Sequence, residues 1–134
     1  KRIVKYEKPD VALIHIGTND GKSKGIKKCF YTRNTKKNID EIIATLRTKN
    51  PDIRVYLASL ITDWKRVSKK MEKWSEEWST STSPVYWVNM KPDERFVNDP
   101  KSASACTFDW VHPNPAGQKY MAERWLNAIL DTKK

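Results

Sequence analysis

No run of apolar residues in this 134-residue chain is long enough to span a membrane. Lys1-Arg2-Ile3-Val4-Lys5-Tyr6 lacks the basic-then-apolar layout of a signal peptide and reads as mid-protein sequence. There are no internal repeats and no Cys/His spacing of a zinc site. There is no aromatic signature of an RNA-recognition module and no helix with a single basic face. These absences matter because the net charge is +10. Charge of that size raises nucleic acid as a partner, yet only a steeply salt-dependent affinity would argue for it here. The plainer reading is a solvated basic surface, densest from Lys22 to Lys37, with a basic rim for an acidic polysaccharide as the alternative. Cysteine is scarce too. Cys29 and Cys106 both fall in loop-like segments at the ends of neighbouring strands, so a bridge between them stays open in an oxidising compartment.

What is present alternates between two periodicities. Val11-Ala12-Leu13-Ile14-His15-Ile16 is almost continuously apolar, as a parallel strand covered on both faces is. Asp20 to Lys37 reads as a long exposed loop. Asn38, with Glu41 three residues later, reads as a capping box. Ile39, Ile42, Ile43 and Leu46 then share one helical face, and Asn50-Pro51 stops the helix. Ile53–Leu60 is the second predicted strand and Val85–Met90 the third. Between them Val67, Met71, Trp74 and Trp78 form a helical stripe. It reads as core, with a sugar-stacking platform as the alternative. The last helix is signalled best: Asn114 caps it, Pro115 takes its first position, and Met121, Ala122, Trp125, Leu126, Ile129 and Leu130 give an apolar face.

Strands alternating with helices imply a three-layer α/β/α domain with a parallel sheet. Chemistry in such sheets sits beyond the carboxyl ends of the strands. Two stretches fall there. Gly17-Thr18-Asn19-Asp20 follows the first strand. Asn19 can offer a side-chain amide to a developing oxyanion, and Gly17 leaves the approach open; an Asn-Asp turn reads equally well. Asp109-Trp110-Val111-His112-Pro113 follows the third strand after a longer loop. An imidazole can deprotonate a hydroxyl nucleophile, and a carboxylate on its other nitrogen fixes the tautomer. On spacing alone this pair is balanced against a capped turn with a surface histidine. His15 reads as a buried, hydrogen-bonded strand residue rather than a base. One physical problem remains. Val11–Ile16 has the pattern of a central strand, yet with three strands in sequential order it lies at an edge, where a long apolar strand invites association.

Pro-Asp-Val-Ala-Leu-Ile-His-Ile-Gly-Thr-Asn-Asp, followed much later by Asp-Trp-Val-His-Pro-Asn-Pro-Ala-Gly, resembles the SGNH hydrolases, also called the GDSL esterase/lipase family. The branch most similar is that of carbohydrate O-acetylesterases. The resemblance implies a flavodoxin-like SGNH fold, with residues 1–134 forming the C-terminal portion of one domain: its last three strands and their helices. It implies Asn19 and Gly17 at the oxyanion hole, and Asp109 and His112 as acid and base of a Ser-His-Asp triad. No metal or organic cofactor is implied. The family's Gly-Asp-Ser block is not in this sequence, nor is the glycine block that completes the oxyanion hole; Ser59 is no convincing substitute. The resemblance therefore places the nucleophile on an N-terminal segment that pairs with Val11–Ile16. It leaves this chain inactive alone on an acylated carbohydrate or other small ester. An extracellular or secreted location, away from nucleic acid and membrane, goes with the same analogy. The alternative is an inactive SGNH-like module that binds carbohydrate or polyanion.

Overall fold

The computed structural model describes residues 8–18, 28–61 and 65–132. Three short strands form a parallel sheet in sequence order: β1 (Val11–Ile14), β2 (Arg54–Ala58) and β3 (Val85–Val88). Leu13 stands beside Tyr56, and Tyr56 beside Tyr86. Helices α1 (Lys28–Arg47) and α2 (Lys65–Trp78) cover one face, and α3 (Pro115–Asp131) covers the other. Strand alternation creates these layers, because successive side chains point to opposite faces. Val55 and Leu57 enter a core with Ile39, Ile43, Met71 and Trp74. Tyr56 and Ala58 enter a second core with Val88, Met90, Phe96 and Tyr120. The predicted Trp stripe is core: Val67, Met71, Trp74 and Trp78 are all buried.

The predicted loop up to Lys37 is corrected: α1 begins at Lys28, and Asn38 lies in its interior rather than at a cap. The reason is tertiary. Polar composition argues against a helix only while its neighbours are ignored. Thr35 is fully buried, Lys36 pairs with Glu77 of α2, and its ammonium lies 5.9 Å from the Trp78 ring centre. Ile42, counted with the apolar face, is exposed. Strands β2 and β3 are each shorter than predicted, since only their central residues take part in the ladder.

β1 occupies the sheet edge. Ala12 and Ile14 pack into the core beneath α1 and α2. Val11 and Leu13 face the opposite side, where α3 covers β2 and β3; Leu13 is 49 % exposed beside the fully buried Tyr56. Ile16, just past the strand, is exposed as well. The edge anticipated from sequence is thus uncovered among the described residues.

Candidate active site

Parallel strands put the segments after β1, β2 and β3 at one edge of the sheet. Gly17 follows β1 with a φ of 115°, a conformation that glycine adopts without strain. Asn19 and Asp20 lie outside the described residues. His15 is half-buried and hydrogen-bonded to the Ser59 backbone. Burial pushes its pKa down and that hydrogen bond opposes the shift, so the ring is neutral at pH 7. Its Nε2 is buried with no partner among the described residues. Ser59 is buried and its hydroxyl accepts the Met90 N–H at 2.8 Å, an arrangement for holding strands rather than attacking a substrate.

The segment after β3 is pinned at successive points. Asp93 accepts hydrogen bonds from Arg95 and from Arg124 of α3, the latter at 2.7 Å. The Arg95 hydrogen bond leads in holding the Asp93 carboxyl down at about 2. Tyr120, also on α3, takes the Asp93 N–H on its hydroxyl, and both guanidinium groups lie about 5 Å from its ring centre. Further on, Cys106 N–H donates to the Val97 carbonyl at 2.8 Å, and Thr107 Oγ1 donates to Asn98 Oδ1 at 2.8 Å. Phe108 N–H closes onto the His112 carbonyl at 2.9 Å.

Asn114 joins this loop to α3. Its Oδ1 accepts the Gly117 N–H at 3.0 Å, capping the helix, while its Nδ2 donates to the Ala105 carbonyl at 2.6 Å. Its backbone N–H donates to the Cys106 carbonyl. That carbonyl rests on Gly117 so closely that an added Cβ would lie 2.1 Å from the oxygen. Asn114 as cap was legible in the sequence. Its reach to Ala105 and the need for glycine at 117 were not. The signal available was a glycine, poor in helix propensity, placed in the first turn.

Held on this frame, Asp109 and His112 meet. Asp109 Oδ1 accepts the backbone N–H groups of Val111 and His112, at 3.2 and 2.8 Å. Its Oδ2 lies 2.6 Å from His112 Nδ1. The His112 backbone hydrogen bond leads, and the imidazole follows, in pulling the Asp109 pKa below the usual carboxylate range. Asp109 is therefore ionised at neutral pH, and its Oδ2 accepts a hydrogen bond from the Nδ1–H of His112. No hydrogen bond among the described residues occupies His112 Nε2, and the imidazole side chain is 73 % exposed. Trp110, within the turn, has a φ of 67°. Of the four site residues expected from sequence, two are thus in direct contact, Gly17 stands at the same sheet edge, and Asn19 is outside the described residues. Cys106 is a buried thiol; the Cys29 side chain lies outside the described residues, and with it the question of a bridge. Among the described residues no group of three or more His, Cys, Asp or Glu side chains is placed to hold a metal ion.

Residues 2–120 match the model of the GDSL-like lipase/acylhydrolase family. Two solved structures share the fold. One is a carbohydrate esterase family 3 protein from Talaromyces cellulolyticus, the other a serine-to-alanine mutant of an acetyl esterase with an acetate ion. Each is 21 % identical with a TM-score of 0.71, over 93 % of this chain and 59 % of theirs. The chain therefore spans less than two thirds of the length of either. No curated protein matches it.

Proposed function

This chain belongs to the GDSL-like lipase/acylhydrolase family, and from that premise we propose that it carries the base half of a serine esterase acting on acetylated or otherwise short-acylated carbohydrate. The observation that supports this most is the 2.6 Å contact between Asp109 Oδ2 and His112 Nδ1, made by an imidazole whose side chain is largely exposed. A serine on a segment outside this sequence attacks the ester carbonyl. Its proton passes to His112 Nε2 as the new C–O bond forms. Asp109, ionised and already bonded to Nδ1, stabilises the imidazolium. The oxyanion is met by the Asn19 amide, together with N–H groups of the same outside segment. As the tetrahedral intermediate collapses, the C–O bond to the alcohol breaks and His112 returns the proton to the departing oxygen. Water then repeats the sequence on the acyl-serine and releases the acid.

The serine-bearing segment has a fitting place to dock. The outer edge of β1 is unpaired among the described residues, and Val11, Leu13 and Ile16 expose apolar surface beside it. A strand added there would satisfy the edge and cover that surface.

Active-site labelling tests the reading. A fluorophosphonate reagent should modify no serine of this chain by itself. In the assembly with the outside segment it should modify one serine of that segment, and His112→Ala should abolish the labelling. Stoichiometric labelling of a serine within residues 1–134 would overturn it, and so would labelling of the assembly that ignores His112.

A further inference from the structure

Trp110 is the only non-glycine with a positive φ among the described residues. L-residues avoid that region because the Cβ crowds the following carbonyl. Glycine there would relieve the strain, and a polar residue would relieve the exposure. The chain instead has an indole that is 53 % exposed, with Phe108 two residues away at 65 %. Nothing in the described fold uses either ring: neither belongs to a core cluster nor makes an aromatic pair. Strain at an exposed aromatic points to a contact made outside the chain.

The turn decides which contact. Asp109 Oδ1 receives the N–H groups of Val111 and His112 across Trp110, while its Oδ2 holds the imidazole. One carboxylate therefore sets the indole and the base on the same turn, two residues apart. A base that protonates the departing alcohol must touch that alcohol's oxygen, so the body of the alcohol lies over the loop that carries the base. A short acyl group sits across the scissile bond, away from His112. The surface Trp110 presents is broad, flat and apolar with a single N–H donor. It matches the C–H face of a pyranose ring. We propose that Trp110 is the stacking wall for the sugar that bears the ester. Trp110 is thus a specificity-determining residue for the leaving group. This rests on the esterase reading above, which places the alcohol next to His112.

Nitrogen-resolved NMR on this chain tests the proposal without requiring turnover. Six tryptophans give six indole N–H signals. Titration with an acetylated xylotetraose should move the Trp110 signal saturably. Glyceryl triacetate, which has esters and no ring, should leave it in place. Trp110→Phe should keep the affinity within about threefold. Trp110→Gly should weaken it at least tenfold while raising the thermal midpoint and leaving the His112 ring signals unchanged, a combination that a purely structural tryptophan would not give. A still Trp110 signal, equal movement with the triacetate, or undiminished binding by Trp110→Gly would each overturn it; the first and the last fit a ring covered by protein rather than sugar. The two readings fail separately. Sugar binding at Trp110 with no fluorophosphonate-reactive serine in the assembly sinks the esterase and keeps the sugar wall. A reactive serine with Trp110 silent does the reverse.

Discussion

The two ends of the sheet are built differently. At the β3 end, the Asp109–His112 pair is made from one turn, one helix cap and one glycine, all within residues 105–117. Every bond that sets it is local or reaches into α3. At the β1 end, Val11 and Leu13 expose apolar surface, and His15 Nε2 is buried without a partner among the described residues. A buried acceptor left unmatched costs stability. Among the described residues Arg124 Nε at the β3 end is unmatched too, so the contrast lies in the apolar surface that only β1, of the two edge strands, exposes. The base of a hydrolase can be fixed by its own loop. A nucleophile and an oxyanion hole need neighbouring strands to line up. The uneven finish of the two ends is what a site divided between two stretches of chain should show.

This contrast can be attacked from either end. The largest effect is expected from His112→Ala in the assembly with the serine segment: a fall of about 10⁴-fold in kcat on an acetyl ester. Asp109→Asn should cost nearly as much, because the amide favours the wrong tautomer. Stopped-flow or steady-state kinetics would show both. Next is Gly117→Ala. The new Cβ meets backbone, the Cys106 carbonyl, which cannot turn aside as a side chain could. A loss of about 2–3 kcal/mol is expected in urea unfolding, even though alanine is the better helix former. Asn114→Ala removes the cap and the Ala105 anchor together, and about 1–2 kcal/mol should go. The NMR signals of His112 should broaden in both variants, since both release the loop that holds it.

The acid response of the same end follows from Asp93. Its folded pKa of about 2 is below the unfolded value of about 4. A depressed carboxyl stabilises the fold above its unfolded pKa, and that contribution is lost as pH falls towards its folded pKa. Between about pH 4 and pH 2 the urea midpoint should drop, and Asp93→Asn should flatten that part of the curve. Asp109, depressed in the same direction, should contribute to the same slope. The smallest effect belongs to the other end. Leu13→Lys should change the stability of this chain by less than about 0.5 kcal/mol, because the side chain is half in water already. It should reduce self-association at micromolar to millimolar concentration and block assembly with the serine segment. A stability loss of core size would mean that the β1 edge is not the docking edge.

Much of this was legible in the sequence, and the exceptions have physical causes. The Asn114 cap, the order of strands and helices and the Asp-x-x-His spacing are short-range patterns, and each appears where it was expected; the Asn38 cap does not. The helix over 28–37 is not legible because Thr35 is buried and Lys36 is held by Glu77 and Trp78, some forty residues away. No local pattern carries that information. The need for glycine at 117 is not legible because the atom that demands it, the Cys106 carbonyl, is folded back onto the helix start from earlier in the same loop. The strain at Trp110 is a property of a single φ angle and has no signature in composition.

One measurement bears most directly on the divided site: hydrolysis of p-nitrophenyl acetate by three samples at pH 7. These are this chain, the serine-bearing segment, and the two together. Phosphonate-sensitive turnover is expected only in the mixture, lost with either His112→Ala or replacement of the segment's serine. Phosphonate-sensitive turnover by residues 1–134 alone would contradict the account, as would a mixture that remains inert while the two polypeptides are shown to bind.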